Sequence, residues 1–148
     1  MSTESLSRLI ARKRELLRLL KEMSRAQLEL IRGGDLERLL RVLAAKQPLV
    51  NQLHAVEAEL EPFRADDPER RVWKSPQARK ACQEDAQICE GLLAELLELE
   101  RAGETAAQER REDTARQLQT MTDASAVGRA YGALPDFVPG ELDLATEM

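Results

Sequence analysis

The amino-acid sequence predicts an all-α fold, in which an antiparallel helical hairpin and a long third helix form a three-helix coiled-coil bundle with a flexible C-terminal tail. Leu, Ala, Glu, Arg and Lys supply 85 of the 148 residues, above the share of about 50% that is typical of coiled coils and long helices. Ile and Val together number only nine, whereas strands are built largely from β-branched and aromatic residues. The composition therefore excludes a sheet protein, a Rossmann enzyme and a disulfide scaffold.

A first helix is predicted over residues 3–33. Thr3 is a favoured N-cap residue, and the pair Gly33-Gly34 supplies the left-handed conformation that ends many helices. The apolar residues between them recur at steps of three and four, as in a coiled coil: Leu6, Leu9, Ile10, Leu16, Leu17, Leu20, Met23, Leu30 and Ile31. Asp35 then caps a second helix, and so short a connection indicates an antiparallel hairpin.

The second helix is predicted over residues 35–61. Its seam repeats the same spacing: Leu36, Leu39, Leu40, Leu43, Gln47, Val50, Leu53 and Leu60. Pro48 falls inside the pattern, and we expect a kink rather than an end because the pattern resumes in register beyond it. Residues 62–75 are polar and broken by prolines, so they predict a loop that Phe63 and Trp73 pin against the end of the bundle.

The third helix is predicted over residues 76–122, because Ser75 suits the N-cap and Pro76 the first helical position. At 1.5 Å per residue it is about 70 Å long, whereas the first two helices are about 45 and 40 Å. About 25 Å of its C-terminal half is therefore expected to lack intramolecular cover. The bundle then occupies residues 1–122, and residues 123–148 predict a mobile tail because they are rich in Gly and Pro.

The uncovered half of the third helix, about residues 99–122, is the candidate surface for binding a protein partner. Small residues there permit close approach of another helix, and apolar side chains near three- and four-residue multiples can anchor an amphipathic partner. The candidate contact residues are Leu99, Ala102, Ala106, Ala107, Leu118 and Met121. Two alternatives stay open: the tail residues Leu134, Phe137 and Val138 fold back over this seam, or a second copy of the chain covers it.

Catalytic and metal-binding patterns are missing from the sequence. His54 is the only histidine, so His-based triads and multi-His metal sites lack partners. Carboxylate pairs such as Glu95 and Glu98 occur without the Glu-x-x-His repeats of metal-binding bundles, which favours a solvated helix face. No glycine-rich phosphate loop follows a strand. We therefore expect no enzymatic activity, no metal and no cofactor.

Several polar and sulfur-bearing side chains within the helices have structural interpretations. Lys13, Gln27 and Gln47 interrupt apolar seams, as residues that set helix register do; polar pockets for a partner are the alternative. Cys82 and Cys89 lie seven residues apart, about 10.5 Å along a helix, beyond the ~7 Å that a disulfide tolerates. We expect them to be reduced, on the face of the third helix that meets the first two.

Charge and hydropathy indicate which classes of partner and which cellular location to expect. The net charge is −5, but residues 3–33 carry eight basic and four acidic side chains, whereas residues 76–122 carry six basic and ten acidic ones. Opposed signs suit helices that pack within one molecule, and nucleic-acid binding, which needs a basic surplus, is not expected. Without a signal peptide or a run of 18 apolar residues, the chain predicts a soluble cytoplasmic protein with no membrane insertion.

Two stretches at the hairpin form a recognisable pattern: LIRGGDLERL at residues 30–39 and KQPLVNQL at residues 46–53. They resemble the FlgN-like family, the flagellar type III export chaperones of the hook-associated (hook–filament junction) proteins, in which a Gly-Asp turn often joins the first two helices. The resemblance covers about residues 6–122 in architecture and residues 28–53 in motif. Pro48 and the long loop after the second helix depart from the family pattern.

The resemblance implies that the long third helix binds the C-terminal helix of an export substrate, and that a tail tyrosine helps to dock the loaded chaperone on the export gate. Tyr131 is the only tyrosine available for that role. The implied partners are hook-associated proteins and a component of the export gate. Two other classes stay open: a structural coiled-coil protein that forms a homodimer, and an adaptor of another secretion or regulatory pathway.

Overall fold

The computed structural model describes residues 2–131, and every regular element in that range is helical. The elements are α1 (Thr3–Gly33), α2 (Leu36–Arg64), a 3₁₀ turn (Pro68–Arg70) and α3 (Pro76–Tyr131). The all-α class and the order of three helices are thus confirmed. A compact unit spans Met1–Gln108 and holds α1, α2 and the first part of α3, and a second unit begins at Glu109.

The start of α1 differs from the prediction by one residue. Ser2 is the N-cap, and its hydroxyl accepts a hydrogen bond from the backbone N–H of Ser5 at 3.1 Å. Thr3 is the first helical residue, and its hydroxyl donates instead to the backbone carbonyl of Val72 at 2.8 Å. Since Ser and Thr are both good caps, the sequence alone does not choose between them. The Thr3 contact ties the start of α1 to the segment that precedes α3.

The connection between α1 and α2 is the tight turn that the sequence predicts. Gly34 adopts φ 72°, and its N–H donates to the carbonyl of Ile31 at 3.2 Å, while Asp35 N–H donates to the carbonyl of Leu30 at 3.1 Å. These two bonds make a Schellman motif, which satisfies carbonyls at the end of α1. The Asp35 carboxylate accepts from the N–H of Arg38 at 3.2 Å, so it caps α2 as expected.

Substitution of Gly34 tests how far the bundle depends on this turn. Gly34→Val should lower the free energy of unfolding by about 1–2 kcal/mol, because a β-branched residue is strained at a positive φ. Asp35→Ala should cost about 1 kcal/mol through loss of the cap. Both values come from urea unfolding followed by circular dichroism.

The matched control is Gly33→Ala. Gly33 is the last residue of α1, and an added Cβ would meet no heavy atom within 4 Å. Stability should therefore stay equal or rise, since Ala favours helix over Gly. An unfolding midpoint that is unchanged in Gly34→Val would contradict this account of the turn.

Helix α2 passes through both of its prolines without ending. It continues beyond Pro48, where the sequence leaves a kink or a break open, and beyond Pro62 to Arg64, three residues past the expected end. Phe63 therefore lies in the last turn of α2 rather than in the loop. It is buried in the core, and Trp73 packs against the same cluster, so of these two aromatic residues only Trp73 pins the loop, whereas Phe63 belongs to the helix against which Trp73 packs.

Helix α3 begins where the sequence predicts and ends later. The Ser75 hydroxyl caps it and Pro76 is its first residue. It runs to Tyr131, nine residues beyond the expected end, because the small and polar residues after position 122 do not break a helix. Residues 123–131, predicted as tail, are thus helical, and residues 132–148 of that tail, with the Leu134, Phe137 and Val138 alternative, lie outside the described residues.

Buried side chains form three groups along α1, here named the first, second and third core clusters. The first contains Leu6, Leu16, Val56, Leu60, Phe63 and Cys82. The second contains Leu17, Leu20, Cys89 and Leu96, and the third contains Leu28, Ile31 and Ala106. Cys82 and Cys89 are free thiols that face the other helices, as predicted, and burial raises the pKa of the Cys89 thiol, which keeps it protonated.

Candidate partner-binding surface

Four of the six predicted contact residues are covered by the bundle itself. Leu6 shares a core cluster with Cys82, and Ile31 shares one with Ala106. Helix α3 therefore packs beside α1 from the first turn of α1 to its last. The 31 residues of α1 therefore cover α3 almost to the end of the first unit. The covered residues are Leu99, Ala102, Ala106 and Ala107. The expectation that they lack intramolecular cover is wrong, because the uncovered part of α3 begins about two turns later.

The remaining two contact residues are exposed. Leu118 is 58% and Met121 67% exposed, and every residue from 109 to 131 is exposed. Leu118 and Met121 are three residues apart and so share one face of the helix. We call this pair, with the polar residues around it, the α3 outer face.

The longer α3 adds two exposed apolar residues that sequence analysis placed in the tail. Val127 is 54% and Tyr131 65% exposed. Val127 lies nine positions after Leu118, which is half a turn away at 100° per residue. Val127 therefore points away from Leu118. Tyr131, in contrast, lies only about 80° around the helix from Met121, so the apolar side chains of the outer part of α3 are spread over more than one face.

Residues 109–131 carry equal numbers of basic and acidic side chains. The stretch carries four arginines and four acidic residues, and Arg116 forms an ion pair with Asp113 one turn before it. A partner would gain little from net charge on a surface of this kind. Apolar contact is what the α3 outer face offers.

A second exposed apolar row lies on α2, where sequence analysis expected a buried seam. The row consists of three leucines at helical spacing, Leu36, Leu40 and Leu43, which are 65%, 58% and 40% exposed. Only the neighbouring Leu39 packs against the third core cluster. The spacing of Leu pairs at i and i+1 along α2 marks an apolar half of the helix, but it does not show which member of each pair points inward.

A polar cluster joins the three helices between the second and third core clusters. Ser24, which is 2% exposed, donates to the Glu100 carboxylate at 2.7 Å. Lys46 forms an ion pair with the same carboxylate and donates to the Gln27 side-chain oxygen at 3.1 Å. Burial acts to raise the pKa of Glu100, but the hydrogen bonds from Lys46 and Ser24 outweigh it, so the pKa lies below its ordinary value.

The three polar residues predicted to set helix register have different surroundings. Gln27 belongs to the polar cluster, and Lys13 pairs with Glu57 of α2 at 2.6 Å. Gln47 is exposed and donates to Asn51 within its own helix, so it does not lie in the seam. Register-setting contacts therefore involve Lys13 and Gln27 only.

The other members of the polar cluster were not predicted from the sequence. Ser24 lies four residues after Leu20 and four before Leu28, and this spacing along α1 was the available signal. Lys46 and Glu100 carry no such signal, because their pairing depends on the relative positions of α2 and α3.

Other kinds of site are not represented in the described range. Residues 2–131 contain no group of three or more His, Cys, Asp or Glu side chains arranged to hold a metal ion. None of the helices in the same range combines the length and apolar content that crossing a bilayer requires. Comparison with protein-family models, curated proteins and solved structures finds no match to this chain.

Proposed function

We propose that this chain is a non-enzymatic, cytoplasmic export chaperone of the FlgN-like kind, which binds hook-associated flagellar proteins and delivers them to the type III export apparatus. The observation that supports it is the stretch of α3 that carries the α3 outer face: 23 consecutive exposed residues, 109–131, in one continuing helix. Helices in water owe most of their stability to the packing of an apolar face. A protein partner supplies that packing here.

The chemistry of the α3 outer face defines the class of partner. Leu118 and Met121 present an apolar stripe without net charge around it, which suits the apolar face of an amphipathic helix. Burying two such side chains contributes about 3–6 kcal/mol before the ordering costs of association. So small a contribution suits a complex that must also release its cargo.

Tyr131 is proposed as the residue that docks the loaded chaperone on the export gate. It is the last described residue of α3 and is 65% exposed. Exposed tyrosines act as interface anchors because they combine a large apolar ring with a hydroxyl. Tyr131→Ala should therefore leave cargo binding unchanged and impair only the interaction with the gate component.

The test compares two double substitutions in the full chain. Leu118→Glu with Met121→Glu should weaken binding of a purified hook-associated protein at least tenfold in isothermal titration calorimetry, because both anchors are replaced by charges. Gln117→Glu with Thr120→Glu adds the same charge at the same spacing on the neighbouring faces, and should bind within about threefold of the parent chain. Equal affinity of the two variants would show that the α3 outer face is not the site.

A structural coiled-coil protein that pairs with its own copy is the second candidate. The row Leu36, Leu40 and Leu43 favours it, since exposed leucines at steps of four and three are the pattern of a coiled-coil seam. Light scattering separates the two candidates. A stable dimer that ignores hook-associated proteins would support self-association, and a monomer that gains mass with them would support the chaperone.

A further inference from the structure

We propose that the cleft where the start of α1, the end of α2 and the start of α3 meet binds an acidic segment of a protein partner. A carboxylate of that segment pairs with Arg71, and an adjacent bulky apolar side chain enters the cavity beside it. These residues differ from those of the α3 outer face. The proposal does not depend on the export role.

The cleft contains two adjoining cavities of about 250 and 120 Å³. Both are lined by Leu6, Ile10, Arg71 and Ala86. The larger one adds an apolar floor of Leu60, Phe63, Cys89 and Leu93. Small-molecule sites typically measure about 300–1,000 Å³, so a cavity of this size suits one side chain of a polypeptide rather than a whole cofactor.

Arg71 is left with unused hydrogen-bond donors in this cleft. One of its terminal nitrogens, Nη2, donates to the backbone carbonyl of Phe63 at 2.6 Å. Its Nε–H is buried and has no hydrogen-bond partner. The guanidinium stays charged at any physiological pH, and its planar fork matches a carboxylate. An incoming carboxylate therefore pairs with a guanidinium whose hydrogen-bonding capacity the fold leaves partly unused.

Arg71 is the charged group of the cleft that selects an acidic partner. The basic side chains lining the two cavities are Lys13, Arg64, Arg71 and Arg79, and the acidic one is Glu90. Lys13 and Arg64 both pair with Glu57, Arg64 also pairs with Glu61, and Arg79 pairs with Glu69. Within residues 2–131, the Arg71 guanidinium has no carboxylate partner. A carboxylate placed at Arg71 is attracted by this unpaired guanidinium, whereas a basic side chain at the same place is repelled.

The experiment uses the full chain and two labelled peptides. The probe is a fluorescein-labelled, Ala-rich helical peptide that carries Phe-Glu pairs, and its counterpart has Lys in place of each Glu. Fluorescence anisotropy should show binding of the acidic peptide and at least tenfold weaker binding of the basic one. Equal binding of both peptides, or no binding of either, would overturn the proposal.

Two variants test the carboxylate contact and the cavity separately. Arg71→Met should weaken binding of the acidic peptide at least tenfold, and Ala86→Phe, which adds a bulky side chain at the shared lining of both cavities, should do the same while Arg71 is retained. Arg70→Met is the matched control, because the Arg70 side chain is 88% exposed and lines neither cavity; it should bind within about threefold of the parent. Binding that survives both Arg71→Met and Ala86→Phe would place the peptide elsewhere.

Two further measurements separate docking from folding and from self-association. The thermal midpoint of Arg71→Met should stay within a few degrees of the parent, since this arginine makes one backbone hydrogen bond and no ion pair; a collapse of stability would show a structural role and overturn the proposal. Concentration-dependent dimers that Arg71→Met abolishes would identify a second copy as the occupant, which would also overturn the assignment to a separate partner.

Discussion

Leu20→Ala should lower the free energy of unfolding by about 2–5 kcal/mol. Leu20 is 1% exposed and lies in the second core cluster. The substitution loses the transfer free energy of the removed atoms and leaves a cavity that its neighbours fill only in part. The cost should lie in the upper part of this range, because the described core contains one buried aromatic, Phe63, and otherwise depends on leucine volume.

Leu40→Ala is the matched control for this prediction. It removes the same atoms from a leucine of α2 that is 58% exposed, so its cost should stay within about 0.5 kcal/mol. Urea unfolding of both variants, followed by far-ultraviolet circular dichroism, gives the two values. Similar losses in both would mean that Leu40 is covered in solution, as self-association through the α2 leucine row requires.

Glu100→Ala should lower the free energy of unfolding at neutral pH by about 2–3 kcal/mol. The substitution removes the acceptor shared by Lys46, whose side chain is 14% exposed, and by the buried Ser24 hydroxyl. A half-buried ammonium and a buried hydroxyl then lack their main partner. The Glu100 side chain is itself 36% exposed, so water entering the gap limits the loss and keeps it below that of a fully buried ion pair.

The contribution of Glu100 to the free energy of unfolding should decrease as the pH is lowered. The pKa of this carboxyl is lowered in the folded protein, so the ionised form binds its neighbours more strongly than in the unfolded chain. Its stabilisation is complete above the unfolded pKa of about 4.3 and is lost as the pH falls through the lower folded pKa. The difference between parent and Glu100→Ala should therefore narrow on acidification below about pH 4.3.

Glu98→Ala controls for the general effect of removing a charge from α3. Glu98 is an exposed residue two positions before Glu100, and its loss should cost less than about 0.5 kcal/mol at every pH. If the difference in the free energy of unfolding between the parent and Glu100→Ala stays constant from neutral to strongly acidic pH, the ionised carboxylate is not what stabilises the polar cluster.

Features encoded by a few neighbouring residues were predictable from the sequence. The Gly34 turn, the Asp35 cap and the start of α3 at Pro76 each depend on local backbone preferences of the residues involved. The face of α3 that packs against the other helices was also predictable from Cys82 and Cys89, because their seven-residue spacing keeps both on one side of a helix.

Features that depend on the relative position of two helices were not predictable. The covered status of Leu99 and Ala106 follows from how far α1 extends along α3, and the exposure of Leu40 follows from how α2 is rotated. The apolar periodicity of a single helix determines neither quantity, because the same apolar stripe can pack against a neighbouring helix at several axial offsets and rotations. For this reason the predicted contact residues that remain exposed, Leu118 and Met121, lie closer to the end of α3 than the predicted surface as a whole.

The order in which these contacts become available during synthesis follows from the pairing of α1 with α3. The hairpin partners meet across the Gly34 turn, whereas Arg14 reaches Asp85 and Ile10 reaches Cys89 across 71 and 79 positions of the chain. At roughly 5–20 residues per second, the ribosome needs several seconds after α2 is made to supply the α3 residues that complete the third core cluster. Throughout that interval the nascent hairpin exposes the α1 leucines to solvent, and the speed of translation sets how long they lack the packing that α3 supplies.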